Sequence, residues 1–271
     1  MVILVLIWCP FGVHTDLNPI KRYTGLELPK NRRHLLSLSD FYIPSKGLVP
    51  PESLDLRDKG LVTDVKDQGH CKSCYIFSAV ASIEGQFAKA TGKLVTLSEQ
   101  KYLDCVSHNC SKGGWQGDVF NYARTDGGLP KDTIYPYVGK EQECHNNKSQ
   151  NIAADSGYMT VSRDEQTIKS ALFEIGPLAV SLFASNHFRY NYTKDSGVYR
   201  DDPCSDQKVN HGVLLVGYGV DEKEGPFWLI KNSWGVEWGE RGYVRLERSS
   251  RNVACLMSQQ PIYPIVAAPA N

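Results

Sequence analysis

The sequence predicts an α+β protein of two lobes, helices first and strands second. Helical periodicity dominates the first half of the chain. Short apolar runs rich in Val, Tyr and Leu, bounded by Gly and Pro, dominate the second. Helices followed by strands, rather than alternating with them, indicate an α+β architecture. A chain of 271 residues with 41% hydrophobic content suits one large domain or two small lobes with a real core.

Met1 to Cys9 are apolar and read as a signal-like segment, although no basic stretch precedes them and no small-residue cleavage site follows. A mis-assigned start is the alternative. Residues 10–47 are weakly patterned, and 43–51, with Pro44, Pro50 and Pro51, read as an extended linker. A boundary falls there. The head is 1–47 and the body 48–266, with a helical lobe over 60–155, a strand-rich lobe over 156–266 and a flexible tail at 267–271.

The first helix is expected over 73–90, because Ile76, Val80, Ile83 and Phe87 make one apolar stripe and Gly92 is a natural stop. A second starts after the N-cap Ser98, a third covers 117–124, and a fourth covers 164–175 before Gly176-Pro177. Strands are expected at 178–183, 212–218, 227–231 and 242–246. Gly217 and Gly219 are read as permitting tight strand packing, and the acidic run 221–224 as a solvated hairpin tip.

Thirty basic side chains balance thirty acidic ones, which argues against a nucleic-acid binder and against an acidic disordered chain. The head holds six basic and three acidic residues, so a basic head sits on a mildly acidic body. No segment approaches 18 apolar residues, so no membrane span is expected. Eight cysteines favour disulfides and an oxidising compartment. Their spacing does not suit zinc. Sequons at Asn109, Asn147 and Asn191 fit a secretory route, and Asn147 and Asn191 are taken as the glycosylation candidates.

Cys74 falls at the N-terminus of the first helix, where unpaired N–H groups and the helix dipole favour an anion, so its thiol is expected to ionise readily. Such a nucleophile needs a basic partner. His211 opens a strand-like run 137 residues further on, and Asn232 follows 21 residues after it with an amide oxygen to orient the imidazole. Gln68, six residues before Cys74, offers an N–H to the oxyanion of a tetrahedral intermediate, with the Cys74 backbone N–H as second donor.

Several separate pieces in order resemble the papain/cathepsin family of cysteine peptidases, its cathepsin L-like branch. They are Cys71-Lys72-Ser73-Cys74-Tyr75, Leu97-Ser98-Glu99-Gln100 before Cys105, and Cys110 followed by Gly113-Gly114. Asn210-His211-Gly212, Lys231-Asn232-Ser233-Trp234-Gly235 with Trp238-Gly239, and Tyr263-Pro264 complete the set. The likeness spans about 49–266.

The resemblance implies the papain two-lobe fold, a helical left lobe and a β-barrel-like right lobe with the cleft between them. It implies a thioester-forming endopeptidase in which Cys74 is the nucleophile, His211 its imidazolium partner, Asn232 the orienter, Gln68 the oxyanion donor and Trp234 the shield over the His–Asn pair. It pairs Cys71–Cys110, Cys105–Cys144 and Cys204–Cys255. Substrate contacts carry over to Lys72, Ser73, Gly113, Gly114, Trp115, Gln116, Ser181, Asn210, Trp234 and Ser258. The implied partners are protein or peptide substrates, cystatin-type inhibitors and the chain's own propeptide, for a lysosomal or secreted monomer with no cofactor, no metal and no nucleic acid.

Three departures stand out. Lys72 replaces the family's glycine and is expected to narrow the first subsite or fold its stem away. One extra residue separates Cys110 from Gly113. The head is short for a family propeptide, and its 40–47 stretch is the part expected to cross the cleft. Two other functions are weighed: an impaired homologue kept as a binding protein, and a thiol oxidoreductase using Cys71 and Cys74, which a structural disulfide at Cys71 would exclude.

Overall fold

A computed structural model describes residues 21–27, 41–200, 209–249 and 260–266. The helical lobe is built on α1 (Cys74–Thr91), whose predicted apolar stripe is fully buried or nearly so. Gly92 closes it in the left-handed conformation, its N–H bonded to Ala88 O at 2.7 Å. Short α2 (Glu99–Tyr102) follows, capped by Ser98 Oγ, which accepts from Lys101 N. It continues into a π-helical turn, Leu103–Ser107. Then comes α3 (Gln116–Asp126), ended by left-handed Gly127. Tyr75, Val80, Ile83, Leu97, Val119 and Phe120 pack into one core.

The strand-rich lobe contains β1 (Leu54–Asp55), β2 (Asp155–Thr160), α4 (Glu165–Glu174), β3 (Leu178–Leu182) and α5 (Asn186–Tyr190). It ends with β4 (His211–Asp221), β5 (Gly225–Lys231), β6 (Tyr243–Glu247) and β7 (Ile262–Val266). Among the described residues the strands form one antiparallel sheet in the order β2-β7-β3-β4-β5-β6, with β1 against β4. This is a large open sheet, where the family resemblance implied a β-barrel-like lobe.

All four expected helices are present. The four expected strands are present within a few residues, and the turn after Asp221 is the expected hairpin tip. Gly217 is required by packing, because a Cβ there would stand 2.2 Å from Leu54 O of β1. Strands β1, β2 and β7 and helix α5 were not anticipated. The motif of β2, Asp-Ser-Gly-Tyr-Met-Thr, does not alternate cleanly, and Pro264 interrupts β7. That proline is tolerated because β7 meets β3 only at Ala179↔Ile262.

The sheet packs α1 against β4, and polar bonds fasten the two lobes. Ser78 Oγ donates to Val213 O at 2.7 Å and Ser82 Oγ to Pro177 O at 3.1 Å. Behind them lies a buried ionic cluster. Lys66 Nζ lies 2.8 Å from Glu84 Oε1 and 2.7 Å from Glu99 Oε1. Lys231 Nζ, at the end of β5, donates to Thr63 Oγ1 at 2.9 Å, and Thr63 donates on to Glu84 Oε2 at 2.6 Å.

Candidate active site

Three elements converge at the lobe boundary. The first is the N-terminus of α1. Ser73 makes no capping bond there, and the first turn carries no acidic residue, so the positive end of the helix faces Cys74. The second is the start of β4 and the third the end of β5. Their pairing, with Leu214 opposite Lys231, puts His211 and Asn232 side by side. Gly212 N donates to Cys74 Sγ at 3.4 Å, which draws the start of β4 onto the thiol.

Cys74 is free, whereas Cys71–Cys110 and Cys105–Cys144 are disulfides, as expected. With Cys71 committed to a structural bond, the dithiol oxidoreductase reading is excluded. Cys204 and Cys255, and therefore their expected pairing, lie outside the described residues, as does Ser258.

His211 Nε2 and Asn232 Oδ1 are 2.7 Å apart. Asn232 Oδ1 also accepts from Ser233 N at 2.8 Å, which fixes the amide with its oxygen toward the histidine. An amide oxygen only accepts, so Nε2 carries the proton and Nδ1 is left as the acceptor. Among the described residues Nδ1 is buried with no hydrogen-bond partner. Trp234 stacks on the imidazole at 4.4 Å between centroids and 18° between planes, and is itself braced edge-on by Trp238. The His–Asn pair is thereby shielded from water.

Gln68 is completely buried. Its Oε1 accepts from Ser233 Oγ at 2.8 Å, which turns its NH₂ group toward the cleft. Nε2 donates to Cys71 O at 2.8 Å and to Tyr23 O at 3.2 Å. Tyr137 OH donates to Gln68 O at 3.0 Å and lies 2.8 Å from Ser73 Oγ. Spacing did not single out Ser233 or Tyr137. Ser233 lay inside a recognised motif, but the second carries no local signal.

The cleft is occupied by the chain's own residues 21–27. Gly25 N donates to Cys74 Sγ at 3.2 Å. Gly114 N donates to Gly25 O at 2.8 Å, Glu27 N to Gly114 O at 2.8 Å, and Leu26 N to Asn210 O at 3.0 Å, so this piece pairs with Gly114 in parallel. Trp234 Nε1 donates to Tyr23 O at 3.0 Å and Arg22 Nη1 to Arg189 O at 2.9 Å. The expectation that 40–47 crosses the cleft is corrected. Phe41 and Tyr42 instead pair with Thr160 at the edge of the strand-rich lobe, and Tyr42 OH donates to Glu174 Oε2 at 2.5 Å. Backbone pairing decides this: 21–27 finds unpaired groups on Gly114 and Asn210, while Tyr42 finds the carbonyl of Thr160.

Leu26 is buried beside Trp115 and Tyr75 in the helical-lobe core cluster. Lys72, Gly113, Gly114 and Asn210 line the passage leading to it. Gln116 and Ser181 sit beneath the cleft rather than facing it. Gln116 Nε2 donates to Val180 O at 3.0 Å and Ser181 Oγ at 3.3 Å, and both residues are buried.

With the cleft filled, burial pushes the Cys74 thiol up to about 11, against the opposing N–H groups of Gly212 and Gly25. Burial pushes His211 down to about 3 against the Asn232 hydrogen bond, and the Arg189 charge adds to the lowering. The helix terminus favours a thiolate, but desolvation outweighs it here, and the pair stands neutral.

A free buried thiol at a helix N-terminus, with a histidine–asparagine pair on the adjoining strands, is the residue set of a cysteine peptidase. Residues 50–265 match the papain family cysteine protease pattern. The chain is 42% identical over 262 residues to a cathepsin L-like protein of Caenorhabditis elegans, covering 95% of this chain and 74% of that one. It is 40% identical over 256 residues to cathepsin K of Mus musculus, covering 93% and 76%.

The fold matches digestive procathepsin L2 proteinase from Tenebrio molitor larval midgut with a TM-score of 0.79 at 34% identity, over 90% of this chain and 78% of that one. It matches bromelain protease of Ananas comosus, solved with the E64 inhibitor, with a TM-score of 0.73 at 35% identity, over 79% and 99%. The chain belongs to the papain family and is a cathepsin L-like cysteine endopeptidase.

Proposed function

We propose that Cys74, His211, Asn232 and Gln68 carry the hydrolysis of peptide bonds. In the open cleft His211 Nδ1 takes the Cys74 proton. The thiolate attacks the scissile carbonyl carbon, and the oxyanion is held by Gln68 Nε2 and the Cys74 N–H. Collapse breaks the C–N bond as the imidazolium protonates the departing amine, leaving a thioester. Water, deprotonated by His211, attacks that thioester and releases the acid and the thiol. The 2.7 Å His211–Asn232 bond beside the free thiol carries this reading, and it favours an enzyme over an inert binding homologue. The test is labelling by an irreversible epoxysuccinyl peptide. Cys74 is expected to be modified and Cys74→Ala to take no label. Absence of both labelling and hydrolysis of dipeptidyl fluorogenic substrates would sink the assignment.

Residues 1–47 act as the inhibitory head and 48–266 as the peptidase, with lobes over 60–155 and 156–266. Residues 21–27 present an N–H, not a carbonyl carbon, to Cys74, which supports inhibition without self-cleavage. Lys72, Ser73, Gly113, Gly114, Trp115, Asn210 and Trp234 contact the substrate, with Gln116 and Ser181 beneath them, and Ser258 is the remaining contact that the family resemblance implies. The two disulfides support a lysosomal or secreted destination. Exposed Asn147 and Asn191 are the glycosylation sites. The peptidase works as a monomer, and cystatin-type inhibitors compete for the same cleft. No helix of the described residues is long and apolar enough to cross a membrane.

A further inference from the structure

The two donors proposed for the oxyanion come from different segments. Gln68 Nε2 belongs to the stretch before α1, and the Cys74 N–H to α1 itself. Gln68 is fastened to the end of β5: its N donates to Ser233 O at 2.9 Å, and its Oε1 accepts from Ser233 Oγ. Cys74 follows α1 in the helical lobe. One N–H of Gln68 goes to Cys71 O, and the other goes to Tyr23 O in the filled cleft. The second is the one an oxyanion would receive. Its aim relative to the Cys74 N–H depends on how the Gln68 backbone sits against the start of α1.

The turn between them does little to fix that alignment. Gly69 is left-handed at a φ of 58°, and Gly69, His70 and Lys72 are exposed. The turn's own bond, from Cys71 N to Gln68 O, is long at 3.4 Å. The Cys71–Cys110 disulfide anchors the middle of the turn, not the Gln68 carbonyl.

Tyr137 reaches that carbonyl. Its OH donates to Gln68 O at 3.0 Å and stands 2.8 Å from Oγ of Ser73, the residue just before Cys74. A phenol has one proton to give, so Ser73 Oγ donates to Tyr137. Ser73 makes no capping bond to α1, which leaves its hydroxyl free for this use. The Tyr137 ring lies edge-on to Phe77, about one turn along α1, at 4.8 Å between centroids. On either side of it, Ser98 Oγ donates to Tyr135 O at 2.6 Å, Val138 N to Gln100 Oε1 at 2.9 Å, and Gln100 Nε2 to Lys140 O at 2.8 Å. The tyrosine is thus pinned to the helical lobe by its ring and by its flanking backbone.

We propose that Tyr137 is a positioning residue for the oxyanion hole, tying the Gln68 backbone to the start of α1 and so setting the spacing of the two donors. It acts through Gln68 and Ser73. The inference rests on the peptidase reading above. Preorganised donors work only where the developing charge will stand, and a misplacement of about 1 Å costs up to about a hundredfold in rate.

The test uses the full chain, activated at acid pH, as wild type and Tyr137→Phe, which keeps the ring against Phe77 and loses the hydroxyl. Epoxysuccinyl titration counts the active thiols. Three quantities are then read per thiol: kcat and KM on a dipeptidyl fluorogenic amide, the inhibition constant of a peptide aldehyde, and the rate of alkylation by iodoacetamide. The aldehyde adds the thiol across its carbonyl and places the resulting oxygen in the hole, whereas alkylation displaces iodide and forms no oxyanion. In Tyr137→Phe, kcat is expected to fall about tenfold or more with KM nearly unchanged. The aldehyde should weaken by a similar factor, and alkylation should keep its rate. An unchanged kcat, a change confined to KM, or an alkylation rate that falls along with kcat each overturns the positioning role alone. So does a Tyr137→Phe chain with no titratable thiol, which would make the hydroxyl a requirement of the fold. Wild type that neither labels nor cleaves overturns the peptidase reading and this inference with it.

Discussion

At the scale of single residues, the proposed catalytic histidine, His211, is controlled by its neighbours more than by its own chemistry. Ser233 N and Oγ serve two masters: the first fixes the amide of Asn232 and the second that of Gln68. One residue thus sets the tautomer of His211 and the aim of the oxyanion donor together. The bond from Asn232 raises the histidine against its burial. Asn232→Ala is therefore expected to lower kcat/KM about 10- to 100-fold, the worth of a buried hydrogen bond to a charged group. It should also move the alkaline limb of the pH–rate profile to lower pH, because the imidazolium is lost sooner. A lowered rate with an unmoved limb would assign Asn232 a packing role only. Cys74, His211, Asn232 and Gln68 were all legible from motif spacing. Tyr137 was not, since it reaches Gln68 O across 69 residues of sequence.

At the scale of elements, the cleft lies where α1 is clamped against the sheet, with Ala179 of β3 and Ile262 of β7 packed into the helical-lobe core. The clamp includes the cluster of Lys66, Glu84, Glu99, Lys231 and Thr63. A cavity of about 20 Å³, room for a single water, is lined by Lys66, Glu99, Lys231, Asn232 and Ser233, among others. The cluster therefore backs directly onto Asn232. Despite the cost of burial, Glu84 and Glu99 hold Lys66 above its ordinary value. Burial pushes Lys231 down to about 8. Glu84 also accepts from Leu97 N at 2.8 Å. Glu84→Ala leaves buried cations short of a partner and is expected to destabilise the fold by about 3–5 kcal/mol, read as a lowered midpoint in denaturant. A loss below about 1 kcal/mol would show the cluster to be dispensable. Helices α1, α3 and α4 were readable because an apolar stripe and a cap are local signals. Strands β1, β2 and β7 were not, because their partners lie more than a hundred residues away and their sequences carry glycine, proline or too few residues to show a period.

At the scale of the whole molecule, the head and body respond to acid in opposite senses. Burial in the filled cleft depresses His211 from its ordinary 6.5 to about 3. A cleft that opens and wets the imidazole takes up a proton that the filled cleft refuses, so the head's hold is expected to weaken as pH falls below the ordinary imidazole value. In the body, burial raises Asp155 from 3.8 to about 7 and lifts Glu99 as well. Groups raised on folding contribute stability that is present at acid pH and lost as pH rises through the raised value. Acid is thus expected to release the head while the body stays folded. In the Cys74→Ala chain, which cannot digest itself, Trp234 fluorescence should change as pH drops below about 6.5, because its Nε1 bond to Tyr23 O breaks. Far-ultraviolet dichroism should hold steady over the same range. Simultaneous loss of both signals would mean that the body unfolds rather than opens. The charge asymmetry of a basic head and acidic body adds a weak attraction, screened by salt.

The sequence by itself brought out the lobe order and the candidate set of Cys74, His211, Asn232 and Gln68, because helix periodicity, cap residues and short motifs are written within a few residues of one another, and the family resemblance implied the two observed disulfides. Only the tertiary structure decided that residues 21–27 fill the cleft, that the thiol and imidazole stand neutral beneath them, and that Tyr137 reaches both Gln68 and Ser73. Each of these depends on backbone groups and buried volume brought together from distant parts of the chain, and desolvation is a property of that assembled volume, with no local residue pattern to announce it.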